Sequence, residues 1–200
     1  MTPLQGLLEG VRYVRDAPTV GMLLKMTAVY SVFGLPYLAL MPVFARDVLG
    51  LGAAGYGALL SSVGVGAITG ALALAAVGRR VPRGRLLVVS AISFASLLLL
   101  FSFQRVPMAA AAVLFGCGMT MILTNAITNG LLQTTAPDEY RGRVMSMHAL
   151  LFIGVSPAGA LVGGAVARGL GVAAAVGAGA TVVLAFAAWV AWRHPEVRAL

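Results

Sequence analysis

Asn125, Asn129 and Gln133 follow one another four residues apart, which sets three carboxamides along one face of a helix. Thr120, Thr124 and Thr128 form a neighbouring stripe, and Tyr30, Phe33 and Tyr37 form an aromatic one at spacings of three and four. Amides and hydroxyls give and take hydrogen bonds without titrating, so these faces suit binding or helix contact rather than proton transfer. The groups that do titrate lie elsewhere. Glu9, Asp16, Asp47, Asp138, Glu139 and Glu196 are the only acids, and His148 stands about one turn beyond Arg143. Hydrolytic chemistry needs a nucleophile and a base within reach of each other. The sole Gly-x-Ser run, Gly154-Val155-Ser156, has only His148 nearby, eight residues away, which along a helix is about 12 Å. There is no His-Glu-x-x-His motif, and a lone Cys117 offers neither a disulfide nor a metal spacing. The sequence therefore reads as a non-enzyme without a cofactor or a metal.

The elements that hold these residues follow from where charge is missing. The chain has 200 residues, 60% hydrophobic and 10% charged, with a mean hydropathy of +0.96. Soluble domains carry about a quarter charged residues. Six windows contain no charge at all: 26–45, 48–78, 86–104, 106–137, 144–167 and 169–192. A helix crosses the hydrocarbon core in roughly 20 residues, and two crossings with a turn need about 40 or more, so each window crosses once. A membrane β-barrel would show segments of about ten residues alternating polar and apolar. Leu97 to Phe101 and Ala109 to Phe115 are instead apolar throughout. The expectation is an all-α membrane protein with a cytoplasmic amphipathic segment at 1–20 and a six-helix bundle at 21–193. Its spans are placed at about 24–45, 54–77, 86–104, 108–133, 144–167 and 171–192, with a cytoplasmic tail at 194–200.

Net charge is +8, but the basic residues sit in small groups rather than in a patch, which argues against a nucleic-acid partner. Arg12, Arg15, Lys25, Arg79, Arg80, Arg83, Arg85, Arg141, Arg143, Arg193 and Arg198 fall on one side; Arg46, Arg105 and Arg168 fall on the other. The richer side is cytoplasmic, so both termini are expected there. Trp189 and Trp192 fit either an interfacial anchor or lipid-facing packing. Leu4, Leu7, Leu8, Val11 and Val14 give the N-terminal segment one apolar face, and it lacks the apolar core of a targeting peptide. The arginine-rich, alanine- and glycine-rich usage suggests a GC-rich bacterium.

Gly66 with Gly70, and Gly159 with Gly163, have the spacing that lets membrane helices approach closely. Pro157 inside the fifth window, and Pro36 and Pro42 in the first, remove backbone donors and are expected to kink their helices.

The run Pro137-Asp138-Glu139-Tyr140-Arg141-Gly142-Arg143-Val144, followed by Gly154-Val155-Ser156-Pro157-Ala158-Gly159-Ala160 and Gly163-Gly164, resembles a loop and helix near the C-terminus of the major facilitator superfamily. Arg12-Tyr13, Pro36-Tyr37, Pro42-Val43-Phe44-Ala45-Arg46 and Gly55-Tyr56-Gly57 resemble the seventh helix and its surroundings in the branch of enterobactin exporters and macrolide efflux pumps. The resemblance spans essentially the whole chain and implies the C-terminal six-helix half of a twelve-helix transporter. That half would divide into inverted three-helix repeats at about 20–104 and 106–193. It implies efflux of a small amphipathic solute, drug-like or siderophore, across the bacterial inner membrane by alternating access. The partner would be a second six-helix half or, in a parallel homodimer, another copy. The competing reading is a truncated, non-transporting fragment or scaffold subunit.

The resemblance places the first and fourth helices at the central cavity, so Tyr30, Phe33, Tyr37, Asn125 and Asn129 are the expected substrate-cavity residues, with interhelical packing as their alternative role. Asp138, Glu139, Arg141, Gly142 and Arg143 are the expected cytoplasmic gate, paired when the cavity is closed; otherwise they form a solvated loop that sets topology. Gly78-Arg79-Arg80-Val81-Pro82-Arg83-Gly84-Arg85 resembles a degenerate copy of the family's basic loop without its acid. Its arginines suit anionic headgroups, at about 1 kcal/mol each. No carboxylate lies inside any window. A proton antiporter of this family would then carry its coupling acid in the other half, and His148, set near the surface, is a poor relay.

Overall fold

The computed structural model describes residues 12–77 and 81–200. Leu4, Leu7, Leu8, Glu9 and Val11 of the amphipathic segment, and Gly78, Arg79 and Arg80 of the basic loop, lie outside them. The described chain is all helix and turn. It comprises α1 (Pro18–Val29), a π turn (Tyr30–Gly34), α2 (Pro36–Asp47), α3 (Ala53–Val77), α4 (Arg83–Ser102), α5 (Pro107–Thr135) and α6 (Asp138–Ala149). A second π turn (Leu150–Gly154), α7 (Ser156–Leu170), α8 (Val172–Arg193) and α9 (Pro195–Arg198) complete it. Six helices among the described residues are long and apolar enough to cross a membrane, one in each charge-free window. Spans one and five are each built from two helices joined by a π turn.

Local sequence explains the ends. Pro18, Pro36, Pro107, Pro157 and Pro195 all sit in the first positions of a helix, where a missing N–H costs nothing. Asp138 and Glu139 occupy the first turn of α6, where the helix dipole favours negative charge. Gly50 and Gly171 turn the chain between spans one and two and between spans five and six with φ of +64° and +88°, a conformation that side chains disfavour.

The two π turns have a common cause. A proline four residues on cannot donate to the carbonyl of the preceding turn, so the ladder widens: Leu35 N donates to Tyr30 O at 3.0 Å and Val155 N to Leu150 O at 3.1 Å, both five residues back. The breaks thus lie just upstream of Pro36 and Pro157, which stand in the first two positions of the helices that follow. Pro42 lies inside α2, which continues through it.

Span two packs on span four as span five packs on span one; span three lies on four as six lies on one, and three and six pack together. Exchanging spans one to three for four to six reproduces these pairings, in keeping with two inverted repeats, while the packing of span five on span six has no equally extensive counterpart between spans two and three. Small residues make the closest approaches. A Cβ at Gly66 would run into the carbonyl of Phe115, one at Gly70 would lie 2.5 Å from that of Met119, and one at Gly118 would strike that of Val63. Gly159 presses on the Val32 carbonyl, and Gly163 faces Pro36 and Leu40 at ordinary contact distance. All four glycines of the two spaced pairs are therefore at helix contacts, as backbone approach in a bundle without hydrophobic driving force demands. One core cluster centres on Tyr37, Phe44, Phe94 and Phe101, and a second on Leu23, Leu87, Leu132 and Val190.

Candidate functional site

Span one carries its aromatic residues through the π turn, and this alters which of them meet. One extra residue in a helical turn rotates everything beyond it by roughly a quarter of a turn. Tyr30 and Tyr37 are buried on different cavities, while Phe33 is partly exposed. Phe94 packs between the two tyrosines, with ring centroids 4.7 Å from Tyr30 and 6.1 Å from Tyr37. The three residues do not form one stripe.

Phe33 and Tyr37 line a cavity of about 120 Å³ with Pro36, Leu98, Gly159 and Val176, between spans one, three, five and six. It is almost wholly apolar, and the Tyr37 hydroxyl turns to the sulfur of Met121 at 4.0 Å.

Tyr30 and Asn125 line a second cavity of about 20 Å³, together with Thr27, Thr124, Thr128 and His148. Its apolar wall is made by Val29, Phe152, Val183 and Phe186. A space of this size holds about one water molecule. Two buried polar atoms here have no hydrogen-bond partner among the described residues, the Tyr30 hydroxyl and Asn125 Oδ1. Most buried polar groups are paired, and an unpaired one costs about 1–3 kcal/mol, so such atoms mark places where the protein leaves capacity for a ligand. The other hydroxyls are committed. Thr124 Oγ1 lies 2.8 Å from Thr120 O and 3.0 Å from Ser90 Oγ, a link between spans four and three, and Thr128 Oγ1 donates to Thr124 O at 2.7 Å.

His148 belongs to this cavity. Its place in the sequence puts it near a surface, but α6 runs on from the loop into the bundle and the imidazole is only 5% exposed. Thr27 Oγ1 donates to Leu23 O at 3.1 Å and lies 3.3 Å from His148 Nδ1, a contact that ties span one to span five. Thr27 gave no signal in the sequence, because a lone threonine in an apolar helix has no periodic companion.

Asn129 sits elsewhere. Its Oδ1 accepts from Gln133 Nε2 at 2.5 Å along the open face of α5. At the junction of α5 and α6, Arg141 pairs with Asp138 at 2.5 Å and donates from Nε to Gln133 O at 2.8 Å. It thereby closes the last turn of α5 onto the first turn of α6. Arg143 lies over the Tyr140 ring at 5.5 Å, and Tyr13 stacks on the same ring at 4.5 Å. Glu139 and Gly142 are exposed on this helix. Among the described residues no group of histidine, cysteine and acids is arranged to hold a metal.

A family model of the major facilitator superfamily, described as transmembrane secretion effector, matches residues 2–200. The chain belongs to that family. Comparison with curated proteins and with solved structures finds no match. Membership of the major facilitator superfamily makes this a multi-pass membrane protein of a transporter family rather than an enzyme family, in agreement with the six spans and the paired repeats.

Proposed function

We propose that this major facilitator bundle exports a small amphipathic molecule across the bacterial cytoplasmic membrane by alternating access, rocking against a second six-helix bundle with both termini cytoplasmic. The observation that carries the reading is the meeting of Tyr30 and Asn125 at one cavity, each with a polar atom that the protein leaves unpartnered. Apolar walls with one donor and one acceptor suit a solute with an apolar or aromatic body and one polar group. At about 20 Å³ the cavity is closed to such a body, so entry requires the surrounding spans to part. Spans one and five supply the joints, since both are broken beside it. Phe33, Tyr37 and Asn129 would contact the solute only in the opened form, and Asp138, Glu139, Arg141, Gly142 and Arg143 would act as the cytoplasmic gate.

The second bundle would cover spans two and five. Only 22% and 6% of their most apolar stretches are buried, against 56% for span one. Large side chains such as Ile68, Ile153 and Leu161 are exposed there. Halves of such transporters are related by an axis along the membrane normal, so either a distinct half or another copy of the chain can take this place. Cysteines introduced singly at Ile153 and Leu161 in a Cys117→Ser chain, and cross-linked in native membranes, test it. A cross-linked species is expected from both, and none from a cysteine at Val89 on span three. Equal cross-linking from all three positions would overturn the assignment.

A further inference from the structure

The apolar cavity beside Phe33 and Tyr37 lies in a seam that its counterpart in the other repeat keeps shut. Between spans two and four, Gly66, Gly70 and Gly118 each bring backbone against backbone. The seam between spans five and one begins in the same way, with Gly159 on the Val32 carbonyl, and then opens. One turn on, Gly163 meets only the side chains of Pro36 and Leu40, at 3.4 and 3.5 Å, and Gly164 has nothing within 4 Å. Here lies the space of about 120 Å³. Protein interiors seldom keep a void larger than a water molecule. This one is walled by Gly159, Gly163, Ala175, Ala178 and Gly179, where larger side chains would fill it.

We propose that this cleft is a binding site for one hydrocarbon chain of a membrane lipid. Among the described residues, the two buried polar atoms without a partner belong to the other cavity, so water and polar solutes find nothing to bond here. The mouth lies between spans five and six, flanked by Val162 and Val182, which are 53% and 40% exposed, and by exposed Ala178. Val162 stands eight residues before the end of α7, roughly 12 Å along a helix. In a hydrocarbon core about 30 Å thick, the mouth therefore opens at the depth of the acyl chains. Dry apolar cavities of about 150 Å³ take up a benzene-sized guest, and a short stretch of chain suits this space in the same way.

The occupant has a structural consequence. A chain seated here touches Phe33 within the π turn of span one and Pro36 just beyond it, and so wedges that joint against spans five and six. Leu161, on the face given to the second bundle, stands about 100° round the helix from Val162, so the bundle and the lipid meet different sides of span five. The site is independent of the solute exported, because the cleft shares no lining residue with the cavity at Asn125.

The test uses the full chain in vesicles of phosphatidylethanolamine and phosphatidylglycerol. A small fraction of the phosphatidylethanolamine carries a diazirine in the distal half of one chain, and labelled residues are located by mass spectrometry after irradiation. Phe33 should be labelled several-fold more than Val89, an exposed side chain on span three away from the cleft. Ala178→Leu, which fills the mouth, should bring Phe33 down to the level of Val89. Ala185→Leu, two turns along the same stripe of span six and off the cleft, should leave it as in wild type. Equal labelling of Phe33 and Val89 in wild type would mean ordinary boundary lipid and overturn the site, as would undiminished Phe33 labelling in Ala178→Leu. Should Ala178→Leu not reach the membrane, Val182→Phe narrows the same mouth and is read the same way. Stripping bound lipid with detergent should lower the thermal midpoint of wild type and Ala185→Leu more than that of Ala178→Leu, whose leucine stands in for the chain; equal losses in all three would also overturn the proposal.

Discussion

Ser31 Oγ donates a hydrogen bond of 2.9 Å to the Phe152 carbonyl, and so joins the π turn of span one to the π turn of span five. The carbonyls of the span-one turn are covered by glycine: Gly159 of span five lies on Val32 O and Gly179 of span six on Phe33 O. Two broken helices are thereby held against each other beside the polar cavity that Tyr30 and His148 line.

Replacing Ser31 by alanine removes the side-chain bond between the two π turns and leaves Thr27–His148 as a neighbouring link between the same spans. Stability in mixed micelles should fall by about 1 kcal/mol, the cost of a single buried hydrogen bond. Reversible unfolding checks this, and an unchanged midpoint would show that the joint is held by packing alone.

Glycine positions on span two should divide sharply. Gly66→Ala places a methyl group into the Phe115 carbonyl and is expected to cost about 1–3 kcal/mol. Gly64→Ala, two residues away with nothing within 4 Å, should be neutral or stabilising by up to about 1 kcal/mol through helix propensity. Thermal unfolding of the two variants side by side reads the difference.

At the junction of α5 and α6, the Arg141–Asp138 pair is largely exposed and so adds less than about 1 kcal/mol to stability. Arg141→Gln with Arg143→Gln should therefore leave folding and membrane insertion almost unchanged while slowing export. Wild-type export at equal protein level would reduce these residues to a topological role.

Much of this architecture is written in the sequence, because lipid imposes one rule everywhere: charge must leave the span. The gaps between Lys25 and Arg46, or Arg143 and Arg168, therefore each frame one membrane span. Gly66 and Gly159 were legible for a similar reason, since close helix contact in a membrane needs small residues. What could not be read is anything that depends on register across a break. Tyr30, Phe33 and Tyr37 look like one stripe only if the helix is regular, and the π turn before Pro36 sets Tyr30 on a different cavity from Phe33 and Tyr37. Asn125 and Asn129 share a face of α5, yet only Asn125 is near enough to the interior to reach the cavity, while Asn129 finds Gln133. His148 is buried because Thr27, 121 residues away in the chain, packs over it. No local pattern encodes such a pair.

The account rests on export through the cavity at Asn125. The most direct measurement is retention of fluorescent amphipathic amines by the cell that naturally makes this protein, after deletion of its coding sequence. Retention should rise on deletion, return to normal with the wild-type chain, and stay high with Asn125→Leu present at the same level in the membrane. Unchanged retention on deletion, or full rescue by Asn125→Leu, would contradict it.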